Sequence, residues 1–116
     1  MFQSLMLPQC ADTVFLTDGG METTLIYHEG LELPHFAAFH LLRTAKGEAA
    51  LRRYFTRYAI LARRYRTGLL LESATWRANA DWGAKLGYAA SELAAANRQA
   101  IALLEDIRAT WPAPTR

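Results

Sequence analysis

Two carboxylates stand where an α/β protein keeps its chemistry. Asp18 follows the short apolar and β-branched run Thr13 to Thr17, and Glu72 closes the apolar run that begins at Leu69. Read as parallel strands, these runs put each acid at a C-terminal strand end, where such folds carry their active-site groups. Neighbouring strands lie about 4.8 Å apart, so both acids can face one mouth and there receive an ammonium group or share a proton. A plainer role is open to each: Asp18 capping its own turn, and Glu72 meeting an arginine. Beside Asp18, Gly19 and Gly20 allow the backbone to come close to a ligand and aim N–H groups at a carboxylate or phosphate. The spacing is neither the G-x-G-x-x-G of a dinucleotide site nor the G-x-x-x-x-G-K-[ST] of a phosphate loop, which argues against nucleotide chemistry. Thr23 and Thr24 have the commoner reading of turn caps.

Positioning these residues requires two strands and two long helices. The first strand is expected over Thr13 to Thr17, and Asp18-Gly19-Gly20 turns the chain out of it. A long connection with a short helical piece near Phe36 to Arg43 follows. Glu48 to Arg66 is the first strongly periodic helix, with Leu51, Tyr54, Tyr58, Leu61 and Tyr65 on one face and Gly68 as its C-terminal stop. Leu69 to Glu72 reads as the second strand, apolar on both faces as in a covered parallel sheet. One helical turn around Trp82 to Leu86 ends at Gly87. Ser91 is the expected N-cap of a last helix, in which Leu93, Asn97, Ala100, Leu104, Ile107 and Trp111 share a face and only Asn97 is polar. Pro112 and Pro114 stop it. The order is strand, helix, strand, helix, an α/β chain of two parallel (β/α) units.

The stretches D-G-G-M-E-T-T-L at the first strand and L-E-S-A-T-W-R-A-N-x-D-W-G-A-K-L-G at the second resemble the homocysteine S-methyltransferase family, over roughly residues 13 to 111. The resemblance implies the first two (β/α) units of a truncated TIM-type (β/α)8 barrel, flanked by a leader over 1–12 and a tail over 112–116. In that family homocysteine binds at the C-terminal mouth of the barrel and takes a methyl group from a donor to give methionine. By the same resemblance, Asp18 accepts hydrogen bonds from the substrate amino group. The Gly19 and Gly20 backbone lies against the amino-acid end, and Glu72 and Thr75 line the mouth. Ser73 and Ala74 depart from the family's usual Thr followed by Asn or Pro, and Trp76 replaces a usual Tyr or Phe. The donor stays open among S-methylmethionine, a methylfolate and a betaine.

A larger departure concerns zinc, which the complete family domain holds with three cysteines, one late in the barrel and an adjacent pair near its end. Cys10 is the single cysteine here and precedes the first strand, so this chain is expected to bring no metal ligand and to hold no stoichiometric zinc. His28, His35 and His40 follow no metal spacing, and Pro34 interrupts any helix that would align them.

Composition is that of one ordinary domain: 116 residues, 52% hydrophobic and 21% charged. No run approaches the roughly 20 apolar residues of a membrane span, and the start lacks the basic region of a secretory signal, so a cytoplasmic address without membrane contact is expected. Thirteen Lys and Arg against eleven Asp and Glu give +2, too little to imply nucleic acid. Arg52, Arg53, Arg57, Arg63, Arg64 and Arg66 are read as a solvated helix face, the phosphate-binding footprint being the lesser alternative. The expected function is therefore the substrate-pocket part of a homocysteine S-methyltransferase-like protein, inactive as this chain alone. The alternative is a non-catalytic remnant or oligomerising interaction module. Homocysteine and a methyl donor are the expected small-molecule partners of the complete domain. Two strands cannot enclose Val14, Phe15, Leu16, Leu69, Leu70 and Leu71, so a homo-oligomer or a complementing C-terminal fragment is the expected macromolecular partner.

Overall fold

The computed structural model describes residues 14–112; the leader with Cys10, Thr13 and the last four residues with Pro114 lie outside them. Strand β1 (Phe15–Thr17) pairs in parallel with β2 (Gly68–Leu70), with Phe15 opposite Gly68 and Thr17 opposite Leu70. β2 begins one residue earlier than expected and stops two short of Glu72. Its only partner among the described residues ends at Thr17, because Gly20 takes a left-handed conformation (φ 63°) and turns the chain away. Gly68 is a strand residue rather than a helix stop: a Cβ there would strike the Phe15 ring. The left-handed residue that ends the preceding helix is Arg66 (φ 55°).

After β1 comes α1 (Met21–Thr23), which continues into a π turn over Thr24–His28 closed by Glu29 N–H on the Thr24 carbonyl, 3.1 Å. The expected helical piece is two 3-10 segments, Pro34–Phe36 and Ala38–Arg43. Helix α2 (Ala45–Arg64) starts three residues before Glu48 because Thr44 caps it, its hydroxyl accepting from Gly47 N–H at 2.9 Å. The sequence after β2 forms α3 (Ala80–Lys85), capped by the Asn79 side chain and followed by Gly87 at φ 80°. Then α4 (Ala90–Thr110) begins one turn position before Ser91: Ala89 is the N-cap, and Glu92 accepts from its N–H at 2.8 Å. Ser91 is therefore inside the helix.

The core is helical. Leu25, Phe39, Leu51, Tyr54 and Phe55 are wholly enclosed, and α4 adds Ala100, Leu103, Leu104 and Ile107. The face expected on α2 is buried only at its start, since Leu61 and Tyr65 are exposed. A seven-residue pattern drifts about 20° per heptad around a 3.6-residue helix, and the buried stripe instead follows Phe55, Ala59 and Ala62. The sheet stays partly wet: every residue of β2 is half-buried and Val14 is 67% exposed. No helix among the described residues is long and apolar enough to cross a membrane.

Candidate functional site

The parallel pairing brings the ends of β1 and β2, and hence Asp18 and the segment from Glu72 to Thr75, to the same end of the sheet. Their surroundings differ. Asp18 is half-buried, and its Oδ2 accepts a hydrogen bond from the Tyr54 hydroxyl at 2.7 Å. The Gly19 carbonyl accepts from Tyr54 at 3.2 Å and from Tyr58 at 3.3 Å. Both tyrosines stand on α2 one turn apart, and Tyr54 is only 1% exposed, so the Asp18–Gly19 turn rests on a rigid phenolic support. Burial, and then the bond to the Asp18 carboxylate, push the Tyr54 hydroxyl far above the usual tyrosine range, so it stays a proton donor. Asp18 is thus held from α2 and not by capping its own turn.

The other oxygen matters most. Asp18 Oδ1 is buried and has no hydrogen-bond partner among the described residues, an arrangement that costs about 1–3 kcal/mol unless something else donates to it. Next to it Gly19 is exposed, and a Cβ there would meet nothing within 4 Å. Gly20 supplies the left-handed turn, and its carbonyl accepts from Thr24 N–H at 2.8 Å. The open space lies over Gly19, whereas Asp18 Oδ1 is itself closed to solvent, so a ligand N–H reaches that oxygen only if the Asp18–Gly19 turn shifts.

Beyond β2, Glu72 is exposed and takes part in no ion pair among the described residues, so the arginine contact considered for it is not made. Ser73 and Thr75 bond to each other through their hydroxyls at 2.7 Å, and Ala74 between them is buried. Further along, Arg77 lies between two indoles, 4.0 Å from the Trp82 ring centre and 4.5 Å from that of Trp76, and donates to the His35 carbonyl at 2.8 Å. His35 itself is in the left-handed region at φ 54°. Asn97, the polar residue on the buried face of α4, donates to the Ala78 carbonyl at 3.3 Å and so ties the loop to the last helix.

The sequence singles out Asp18, the two glycines and Asn97, but its periodicity marks Tyr54 and Tyr58 as packing alone. Their signal was present, since tyrosine brings a hydroxyl that a buried position must satisfy. Arg77 was missed as well; an arginine next to one tryptophan and five residues before another was the available clue.

Of the arginine-rich stretch, Arg52 pairs with Glu48 and Asp106, while Arg53 and Arg57 both hold Glu29, at 3.1 and 2.6 Å. Those hydrogen bonds, Arg53 first, hold the Glu29 carboxyl below the usual range against the opposing effect of burial. Half of the cluster is therefore matched by the chain's own acids. His40 bonds to the Tyr88 hydroxyl at 2.9 Å, while His28 and His35 are exposed. Among the described residues no group of three or more His, Cys, Asp or Glu is placed to hold a metal ion. The chain matches no family model, and comparisons with curated proteins and with solved structures give no match either.

Proposed function

We propose that this chain is the amino-acid-binding part of a homocysteine S-methyltransferase-like protein, built as the first two (β/α) units of a (β/α)8 barrel. The observation that carries this reading is Asp18: one oxygen is fixed by Tyr54, and the other is buried without a donor among the described residues, next to the open Gly19. In this reading Oδ1 accepts from the substrate ammonium, the Gly19 and Gly20 backbone lies along the carboxylate end, and Glu72 and Thr75 line the far side. The sulfur then points away from the chain's own residues, toward a methyl donor that other parts of a complete domain would present. A cytoplasmic address belongs to the same reading, because homocysteine must stay a thiol to accept a methyl group. The single cysteine favours a second reading, a non-catalytic remnant or interaction module that keeps the turn without the transfer.

Calorimetric titration of the chain with homocysteine and with its analogue lacking the amino group tests the assignment. A charge-assisted hydrogen bond contributes about 1.5–3 kcal/mol, so the analogue should bind about ten-fold more weakly or worse, and Asp18→Asn should remove most of the difference. Equal binding of the two compounds would overturn the role given to Asp18. Binding with no methyl transfer, even when a complementing fragment is supplied, would favour the second reading.

A further inference from the structure

A small cavity lies where the 3-10 segment Ala38–Arg43 meets the first turns of α4. Buried Phe39, Leu42 and Ala96 line it together with Tyr88, and its volume is about 180 Å³. Pockets for drug-sized ligands run to roughly 300–1,000 Å³, so this one suits a molecule of amino-acid size. Arg43 and Glu92, also in the lining, set opposite charges side by side at its rim, 4.0 Å apart and about half exposed. Each is steadied by a partner of its own. The Arg43 guanidinium lies over the Tyr88 ring, 4.9 Å from its centre, and His40 holds the Tyr88 hydroxyl at 2.9 Å. Glu92 Oε1 accepts from Ala89 N–H at 2.8 Å, which leaves Oε2 for Arg43. Gln99 donates to the Leu42 carbonyl at 3.1 Å and so ties α4 to the 3-10 segment.

We propose that this cavity binds a free α-amino acid with an apolar side chain, its carboxylate on Arg43 and its ammonium on Glu92. An exposed ion pair at 4.0 Å is well beyond the about 2.7–2.9 Å of a charge-assisted hydrogen bond and contributes little by itself. A zwitterion exchanges that one weak contact for two strong ones, and the carbon between its charged groups directs the side chain onto Phe39, Leu42 and Ala96. A lone anion or cation would answer one charge and leave the other without a partner. An uncharged apolar molecule would cover the pair and replace none of the water it displaces. The supports serve the same end: with Tyr88 under Arg43 and the Ala89 N–H on Glu92, both groups are oriented before a ligand arrives, which lowers the entropy lost on binding. None of the residues around Asp18 lines this cavity, so the site and the substrate reading stand or fall separately.

The probe is L-leucine, titrated into the isotope-labelled chain, with leucinamide, which lacks the carboxylate, and N-acetyl-leucine, which lacks the ammonium, as controls. Leucine should bind saturably and shift the amides of Tyr88, Ala95 and Ala96, and each control should bind about ten-fold more weakly or worse. Arg43→Gln should bring leucine down to the level of leucinamide. Glu92→Gln, which keeps an oxygen for the Ala89 N–H, should bring it down to that of N-acetyl-leucine. Ala95→Leu fills the cavity while leaving both charges in place, and should block binding. Arg43, Glu92 and Ala95 are exposed, so none of these changes touches the core. Asp18→Asn should leave leucine binding as it was. Shifts confined to Gly19 and Gly20, or loss of binding in Asp18→Asn, would put the ligand at the first turn instead and overturn the proposal. So would absence of saturation, equal binding of either control, or full affinity in Ala95→Leu.

Discussion

The turn after β1 and the loop after β2 occupy equivalent places at one end of the same sheet, yet they are held by opposite means. The first is supported from inside: a buried tyrosine reaches it from α2 and fixes one oxygen of Asp18, while the other is buried with no hydrogen-bond partner among the described residues. The second is fastened from outside, by Arg77 stacked between Trp76 and Trp82 and by Asn97 holding Ala78, and it leaves Glu72 in water. Internal support freezes a charged group in one orientation, which is what selective recognition of an ammonium needs. External fastening shapes a wall and leaves its acid free to move.

The largest test of this contrast is Tyr54→Ala. It removes a fully enclosed aromatic together with the hydroxyl under Asp18, and should cost about 3–5 kcal/mol in urea denaturation. A loss below about 1 kcal/mol would mean that α2 does not support the first turn.

A finer probe is Tyr54→Phe, which keeps the ring but strips Asp18 Oδ2 of its donor, at an expected cost of about 1–3 kcal/mol. Its pH signature is specific. The Tyr54 ionisation is raised in the folded chain, so its contribution is fully present below the ordinary tyrosine value near 10 and declines as pH rises beyond it, when the unfolded chain ionises first. Stability should therefore fall from about pH 10 upward in the parent and fall less steeply in Tyr54→Phe. Tyr88, raised chiefly by its own burial, leaves a residual slope. Identical profiles for the two proteins would mean that Tyr54 is not held as a buried, protonated donor.

On the other side, Arg77→Ala removes two cation–aromatic contacts and the bond to the His35 carbonyl, all near the surface. About 1–2 kcal/mol is expected, with a change in tryptophan emission and no effect on the first turn. Smallest of all should be Glu72→Gln, within about 0.5 kcal/mol of the parent, because the carboxylate is exposed and joins no ion pair among the described residues. A loss above about 1 kcal/mol would show that the second loop is internally supported after all.

Features that depend on neighbours in sequence were readable from it. The turn at Asp18-Gly19-Gly20, the stop at Gly87 and the single polar position of Asn97 on α4 each follow from local residue types, and each is where the chain places it. What depends on competition between local options was not. Thr44 wins the N-terminus of α2 over the first periodic residue because its hydroxyl reaches Gly47, and Arg66 takes the left-handed position because Gly68 is needed under the Phe15 ring. The bond from Tyr54 to Asp18 spans 36 residues and exists only once α2 lies against β1, so no local pattern encodes it. Periodicity showed that Tyr54 would be inside; it could not show what its hydroxyl would meet.

The π turn over Thr24–His28 has a consequence for how this chain tolerates change in length. A π turn carries one residue more than the α-helical turn it replaces, and the surplus is thrown outward, as Tyr27 is at 75% exposure. Loss of one residue there returns the segment to ordinary helical pitch with Glu29 still in phase to meet Arg53 and Arg57. The same loss within α2 would rotate every later side chain by about 100° and carry Phe55, Ala59 and Ala62 out of the core. The segment behind the Asp18 turn is thus a slack link, where a length change can be absorbed before it reaches either strand.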